Sequence, residues 1–193
     1  GFMTILHGDD RIYNNIFIQH YPVTDGHKTP QDNDYEIVGT ASMDIFPTYD
    51  EWLSHFMMDQ EPDMRALATY HFGHLPVWIK GNAYFGGASV SKHEQHGLIR
   101  ADIEAQVELT EKQGEYHLKT NIYSLLEGFQ AELVNSATLG YAFEPEQRFE
   151  HPDGSPIVFD EDYFGTRRET AILPGPFADK SASERNVSPF AAK

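Results

Sequence analysis

Apolar positions along this chain follow two different rhythms. Residues 11–18, Arg-Ile-Tyr-Asn-Asn-Ile-Phe-Ile, set apolar side chains on both sides of a central Asn pair and follow the turn-prone Gly8-Asp9-Asp10. That pattern predicts a strand, a tight corner and a second strand. A related block lies at 77–85, Val-Trp-Ile-Lys-Gly-Asn-Ala-Tyr-Phe, and aligns Ile79 with Ile12 and Asn82 with Asn15. Asn suits such a corner because it tolerates left-handed backbone and its amide can hydrogen-bond along a stack of coils. The repeat therefore reads as two rungs of a solenoid, the other reading being two unrelated hairpins with Asn turns. Two rungs bury too little by themselves, since about three repeats are needed for a continuous core.

More than 50 residues separate the blocks, opening with the turn-rich, charged stretch Thr24 to Asp34. Inside this insertion, Thr48-Tyr49-Asp50-Glu51 is a capping box. Trp52, Leu53 and Phe56 then share one face of a short helix, with Phe46 or Tyr49 near enough to pack on it, and the helix is expected to cap or flank the solenoid. From residue 103 the rhythm changes to period two: Ile103, Ala105, Val107 and Leu109 alternate with polar residues. Glu111-Lys112-Gln113-Gly114 makes a turn, and Tyr116, Leu118, Thr120 and Ile122 continue on a return strand, which is a β-hairpin. One helical turn at 123–127, a strand at 129–134, and a tight turn at Pro152-Asp153-Gly154 before Ile157 complete a mostly antiparallel second half. The chain divides into 1–100, terminal coils with a helical insertion at about 20–75; 101–180, an antiparallel β cap or extension; and 181–193, a polar tail whose last three residues read as a vector remnant, the other reading being a natural frayed end.

Composition narrows the function classes. The 193 residues are 40% hydrophobic, without a run approaching the roughly 20 apolar residues of a membrane-spanning helix. Thirty acidic against 14 basic side chains give a formal charge of -16, which repels nucleic acid and anionic membranes and argues against both as partners. With no cysteine, disulfides and thiolate metal sites are excluded, which is compatible with a reducing cytoplasm and leaves the compartment open. The opening Gly1-Phe2-Met3-Thr4 reads as a cut end rather than a secretory leader.

Hydrolysis of a glycosidic bond needs two carboxyl groups flanking it, about 5 Å apart for retention and roughly 6.5–9.5 Å for inversion. Asp9 with Asp10, Glu144 with Glu146, and Asp160 with Asp162 are the close pairs, and each reads better as a solvated or capping turn group. His71 with His74, and His93 with His96, have no evident third ligand, so no metal site is assigned. Nucleotide, phosphate-loop and serine-hydrolase fingerprints are missing, and no cofactor is expected. Aromatic residues make up 13% of the chain. Trp52, Trp78, Tyr84, Phe85, Tyr141, Phe143 and Phe149 are candidate sugar-stacking platforms, although strand aromatics more often belong to a core.

The segments Gly8 to Phe17, Leu75 to Ala88, Phe143 to Glu150, Asp162-Tyr163-Phe164-Gly165 and Leu173-Pro174-Gly175-Pro176-Phe177 together resemble the β-xylosidases of glycoside hydrolase family 120. The resemblance implies a mainly β fold: the last coils of a right-handed parallel β-helix, with a capping helix insertion and an antiparallel β C-terminal region. It implies a retaining β-xylosidase acting on xylo-oligosaccharides. In such enzymes the nucleophilic Asp and acid/base Glu lie on earlier coils than the segment that Gly8 to Phe17 resembles, so the resemblance carries no catalytic residue over to this chain. Its expected partner is then the N-terminal part of the same enzyme, separated by a nick, a split gene or truncation. His7, Asp9 and Asp10, at a rung corner, are the residues expected at the cleft edge. A self-contained, non-catalytic carbohydrate-binding β-module is the alternative, and an interaction module without sugar contact is the third reading.

Overall fold

The structure, a computed structural model, describes residues 7–19, 37–55, 73–143 and 145–188. Strands β1 (Asp10–Tyr13), β2 (Ile16–Ile18), β3 (Val77–Lys80), β4 (Ala83–Phe85), β5 (Glu94–Gln95) and β6 (Leu98–Arg100) build its first half. They form two parallel three-stranded sheets, ordered β1-β3-β5 and β2-β4-β6. Ile12 pairs with Ile79 and Ile79 with Glu94, while Phe17 pairs with Tyr84 and Tyr84 with Ile99. The alignment expected from the two sequence blocks is the observed register. A third strand–corner–strand unit, at 94–100, continues both sheets without a gap.

That third unit escapes the sequence pattern because its residues are polar where the first two are apolar. What it shares is backbone shape. The corner position has positive φ in all three units, at Asn14 (57°), Gly81 (70°) and His96 (56°), a region open mainly to Gly and Asn. One residue further on, Asn82 Oδ1 accepts from the Asn15 backbone N–H at 2.8 Å and from Asn15 Nδ2 at 3.1 Å, while Asn82 Nδ2 donates to the Ile12 carbonyl at 2.8 Å. The third unit has Gly97 there. A Cβ on Gly97 would lie 2.7 Å from Glu94 Cγ, and the space is taken by the Glu94 carboxylate, whose Oε2 accepts from Asn82 Nδ2 at 2.7 Å. The Asn ladder thus ends on a carboxylate. The same Oε2 accepts from the Tyr84 hydroxyl at 2.5 Å, and that hydroxyl lies 2.9 Å from Thr40 Oγ1. Burial, then the bond to Glu94, pushes the Tyr84 phenol well up.

The segment after residue 37 runs beside the parallel sheets, with Gly39 bridging Ser89 in parallel and a 3-10 turn at Ala41–Ile45. Helix α1 (Tyr49–Ser54) follows with both halves of the capping box formed. Phe56 and the Thr24–Asp34 stretch lie outside the described residues. Among those described, no helix is long and apolar enough to cross a membrane.

The second half is antiparallel. Hairpin β7 (Val107–Lys112) and β8 (Glu115–Thr120) turns through Gln113-Gly114, both at positive φ, the two-residue geometry whose twist matches its strands. Its first strand begins at Val107; Ile103 belongs to the preceding turn. Then come α2 (Ile122–Leu125), β9 (Ala131–Glu132), α3 (Ser136–Leu139), β10 (Ala171–Ile172) and β11 (Glu184–Asn186). Strand β10 pairs with β9, and β11 with β8. Residues 184–186, polar enough to read as tail, are therefore sheet. Arg185 is buried there, its guanidinium 4.8 Å and 4.7 Å from the Tyr123 and Phe177 ring centres, so a charged residue anchors the strand through aromatic faces.

The two halves share one core. Ala83 and Phe85 of β4 bury their outward face against Ala105, Ile122, Tyr123, Leu126 and Phe177, with Ile16, Ile18 and Leu98 packed around them. Full burial of a side chain such as Phe85 or Leu126 is worth about 1.5–3 kcal/mol. Tyr84, between Ala83 and Phe85, points the other way and stacks on Phe17 at 5.2 Å.

Candidate functional site

On the outer face of β1 and β3, Arg11 and Trp78 are register partners, and the Arg11 guanidinium lies 4.1 Å from the Trp78 ring centre and 4.7 Å from that of Phe149. The guanidinium is almost fully committed. Its Nε donates to the Leu139 carbonyl (2.8 Å), Nη2 to the Tyr141 carbonyl (2.6 Å), and Nη1 to both the Asp9 carbonyl (2.7 Å) and Asp9 Oδ1 (2.5 Å). The other Asp9 oxygen accepts from the Phe143 backbone N–H at 2.9 Å. One ion pair at the start of β1 thus clamps the strap 139–143 across the outside of the sheet. A charge-assisted network of this kind holds backbone more firmly than neutral bonds do.

The strap faces helix α1. Thr48 Oγ1 accepts from the Glu51 N–H at 3.2 Å and Glu51 Oε2 accepts from the Thr48 N–H at 2.7 Å; that backbone donor holds the Glu51 carboxyl below its ordinary value. Capping fixes the start of a helix too short to persist alone and so aims Trp52. Its ring meets Phe143 edge-to-face at 4.5 Å, whereas Phe46, one of its expected partners, packs on His74 at 4.7 Å. A cavity of about 600 Å³ results, with Arg11 at its base, Tyr49, Trp52, Trp78, Tyr141 and Phe143 around it, and Glu146 at the rim. Tyr141 and Tyr49 keep much of their ring surface open, at 64% and 45% exposure.

The structure sorts the aromatic candidates. Trp52, Trp78, Tyr141 and Phe143 converge on this cavity, Phe149 backs Arg11, and Tyr84 and Phe85 belong to the core. Tyr49 joins the site; its place three residues before Trp52 on a capped helix is the signal that points to it. Of the residues expected at a cleft edge, Asp9 is tied into the cavity wall. Asp10 is exposed in the Val77 column, on the opposite face of β1 from Arg11. His7 is exposed, and its carbonyl accepts from the Leu75 N–H at 2.9 Å.

The carboxylate pairs do not flank a common point. Asp9 and Asp10 diverge, and Glu144 lies outside the described residues. Asp160 is 3.4 Å from Arg167, while Asp162 accepts from the Phe164, Thr166 and Ala178 backbone N–H groups at 2.8–2.9 Å. Burial pushes the Asp162 carboxyl up, but those donors outweigh it and hold it below its ordinary value. Among the described residues no three His, Asp or Glu side chains converge in a metal-binding group. His93 Nε2 lies 2.8 Å from the Phe46 carbonyl and His96 occupies the third corner, while His71 lies outside the described residues.

No protein-family model matches the sequence, and no curated protein matches it. Among solved structures the chain is similar to the complex structure of XylC with xylose, with a TM-score of 0.72 and 25% identity over 93% of this chain and 26% of that one. The chain is thus mainly β with few helices, similar in fold to a protein that holds xylose, and spans about a quarter of that protein's length.

Proposed function

We propose that this chain provides the C-terminal coils and outer wrap of a right-handed parallel β-helix glycoside hydrolase, a retaining β-xylosidase of the family 120 type acting on xylo-oligosaccharides. The observation that carries the reading is the likeness to the XylC–xylose complex across nearly the whole chain. The stacked register and the matched corners support a β-helix. In this reading the catalytic Asp and Glu lie on preceding coils that form a partner to this chain.

Burial supports such a partner. The strands of the middle unit are mostly buried, whereas Ile12, Ile16, Phe17 and Ile18 of the first unit are only half-buried. Among the described residues β1 and β2 pair on one side only, with β3 and β4. A further coil would cover both the apolar columns and the open strand edges. His7, Asp9 and Asp10 then stand at the cleft edge, Asp9 through its hold on Arg11 and the strap.

The test is the chain composition of the purified protein together with hydrolysis of an aryl β-xyloside. A tightly associated larger chain, with hydrolysis by the assembly and none by this chain alone, is the expected result. A folded, monomeric chain that neither binds such a partner nor joins in hydrolysis overturns the reading and leaves the carbohydrate-binding module, which the aromatic cavity favours.

A further inference from the structure

We propose that the Trp52–Trp78–Tyr141 cavity is a subsite for one neutral pyranose ring of an oligosaccharide, of the xylose type, and that it rejects acidic sugars. The carbohydrate class rests on the function proposed above. The shape and charge of the site come from its own residues.

A pyranose offers an apolar C–H face and an equatorial belt of hydroxyls, so its site needs open aromatic faces beside hydrogen-bonding groups. Five aromatic residues line this one cavity, and the two most open, Tyr49 and Tyr141, carry phenol hydroxyls beside their ring faces. Glu146 adds a carboxylate at the rim that can accept from sugar hydroxyls. Exposed apolar surface gathered in this way on one pocket marks a binding site more often than scattered surface residues do.

Charge sets the selectivity. Arg11 is the cation at the base, yet four of its five N–H donors are spent, on Leu139, Tyr141 and twice on Asp9. Asp9 also neutralises it at 2.5 Å. A carboxylated or phosphorylated sugar would find no free bidentate cation, and it would meet Glu146 and the field of a chain with formal charge -16. The same bonds fix the Tyr141 and Phe143 backbone before any ligand arrives, which lowers the ordering cost of binding.

The chain contains only two tryptophans, and both line this cavity, so intrinsic tryptophan emission reports the site. The experiment titrates the 193-residue chain, purified with any chain that accompanies it and shown to be folded by circular dichroism, with xylotriose and, separately, with trigalacturonate. Expected is a saturable emission change with xylotriose and none with the acidic sugar. Tyr141→Ala, at an exposed ring, should weaken xylotriose binding by roughly three- to tenfold, as loss of one aromatic contact implies, with unchanged far-ultraviolet circular dichroism; Tyr49→Ala serves if that variant does not fold. Emission unaltered at about 10 mM xylotriose, well above a millimolar Kd, equal response to both sugars, or full affinity in the folded Tyr variant overturns the proposal. An emission response without xyloside hydrolysis by the assembled protein would sink the glycosidase reading and leave the subsite. Hydrolysis with no emission response, and with the same KM in Tyr141→Ala, would do the reverse.

Discussion

In the parallel sheets, Tyr84 and Phe85 are fully enclosed and the polar groups between strands bond to one another; in the hairpin β7–β8, Val107 and Leu109 stand 40% and 61% exposed. The parallel strands hold their register through a side-chain ladder at one corner. The antiparallel half holds its loops one by one, with Asp153, Asp162 and Asp179 each accepting backbone N–H groups a few residues on. A ladder shares each amide between neighbouring units, so damage at one rung reaches three. A loop held by its own Asp loses only local order.

Substitution at the ladder is the strongest way to break that contrast. Asn82→Ala leaves Asn15, the Ile12 carbonyl and Glu94 without their common partner in a buried place, at an expected cost of about 3 kcal/mol. Urea unfolding followed by tryptophan emission should show it, and a loss below about 1 kcal/mol would mean that water replaces the amide. Next comes Gly81→Ala, which forces a Cβ onto a corner of positive φ and to within 2.5 Å of Asn14 Oδ1, for about 2 kcal/mol. His96, at the same corner of the third unit, already tolerates that φ, so His96→Gly should stabilise or leave the protein unchanged in the same unfolding assay.

In the antiparallel half, Asp162→Ala is expected to cost about 1–2 kcal/mol at neutral pH through its lost backbone bonds. The folded Asp162 carboxyl lies below its unfolded value of about 3.9. Its stabilisation is therefore complete above that pH and fades as pH falls through the lowered folded value. Urea midpoints of parent and variant should converge on acidification; a gap constant between pH 7 and pH 3 would contradict this account. The smallest of the expected losses belongs to Thr48→Ala, which removes one half of an exposed capping box for about 1 kcal/mol. Its readout is local: backbone hydrogen exchange in α1 should quicken while the ladder amides keep their protection.

The first two strand–corner–strand units were legible because Ile12 with Ile79 and Asn15 with Asn82 repeat both the residue types and the spacing that parallel pairing demands. The hairpin, the capping box and the turn at Asp153 were legible for the same local reason. The third unit was not, since only its backbone repeats: His96 takes the left-handed corner, and Gly97 yields its place to Glu94. Nor was β11, where a buried Arg185 substitutes aromatic faces for the apolar residues a strand pattern looks for.

For the cavity, Trp52, Trp78, Tyr141 and Phe143 were among the seven candidate aromatics, and spacing marked the helix cap. Which rings meet was decided by contacts of up to 134 residues' separation, such as Asp9 to the Phe143 N–H. Periodicity and turn chemistry act over a few residues and are written in the chain order. The convergence of a helix, two parallel strands and a distant strap depends on how one Arg–Asp pair, nearly out of solvent, finds carbonyls and an amide to satisfy it, and only the folded arrangement supplies those partners.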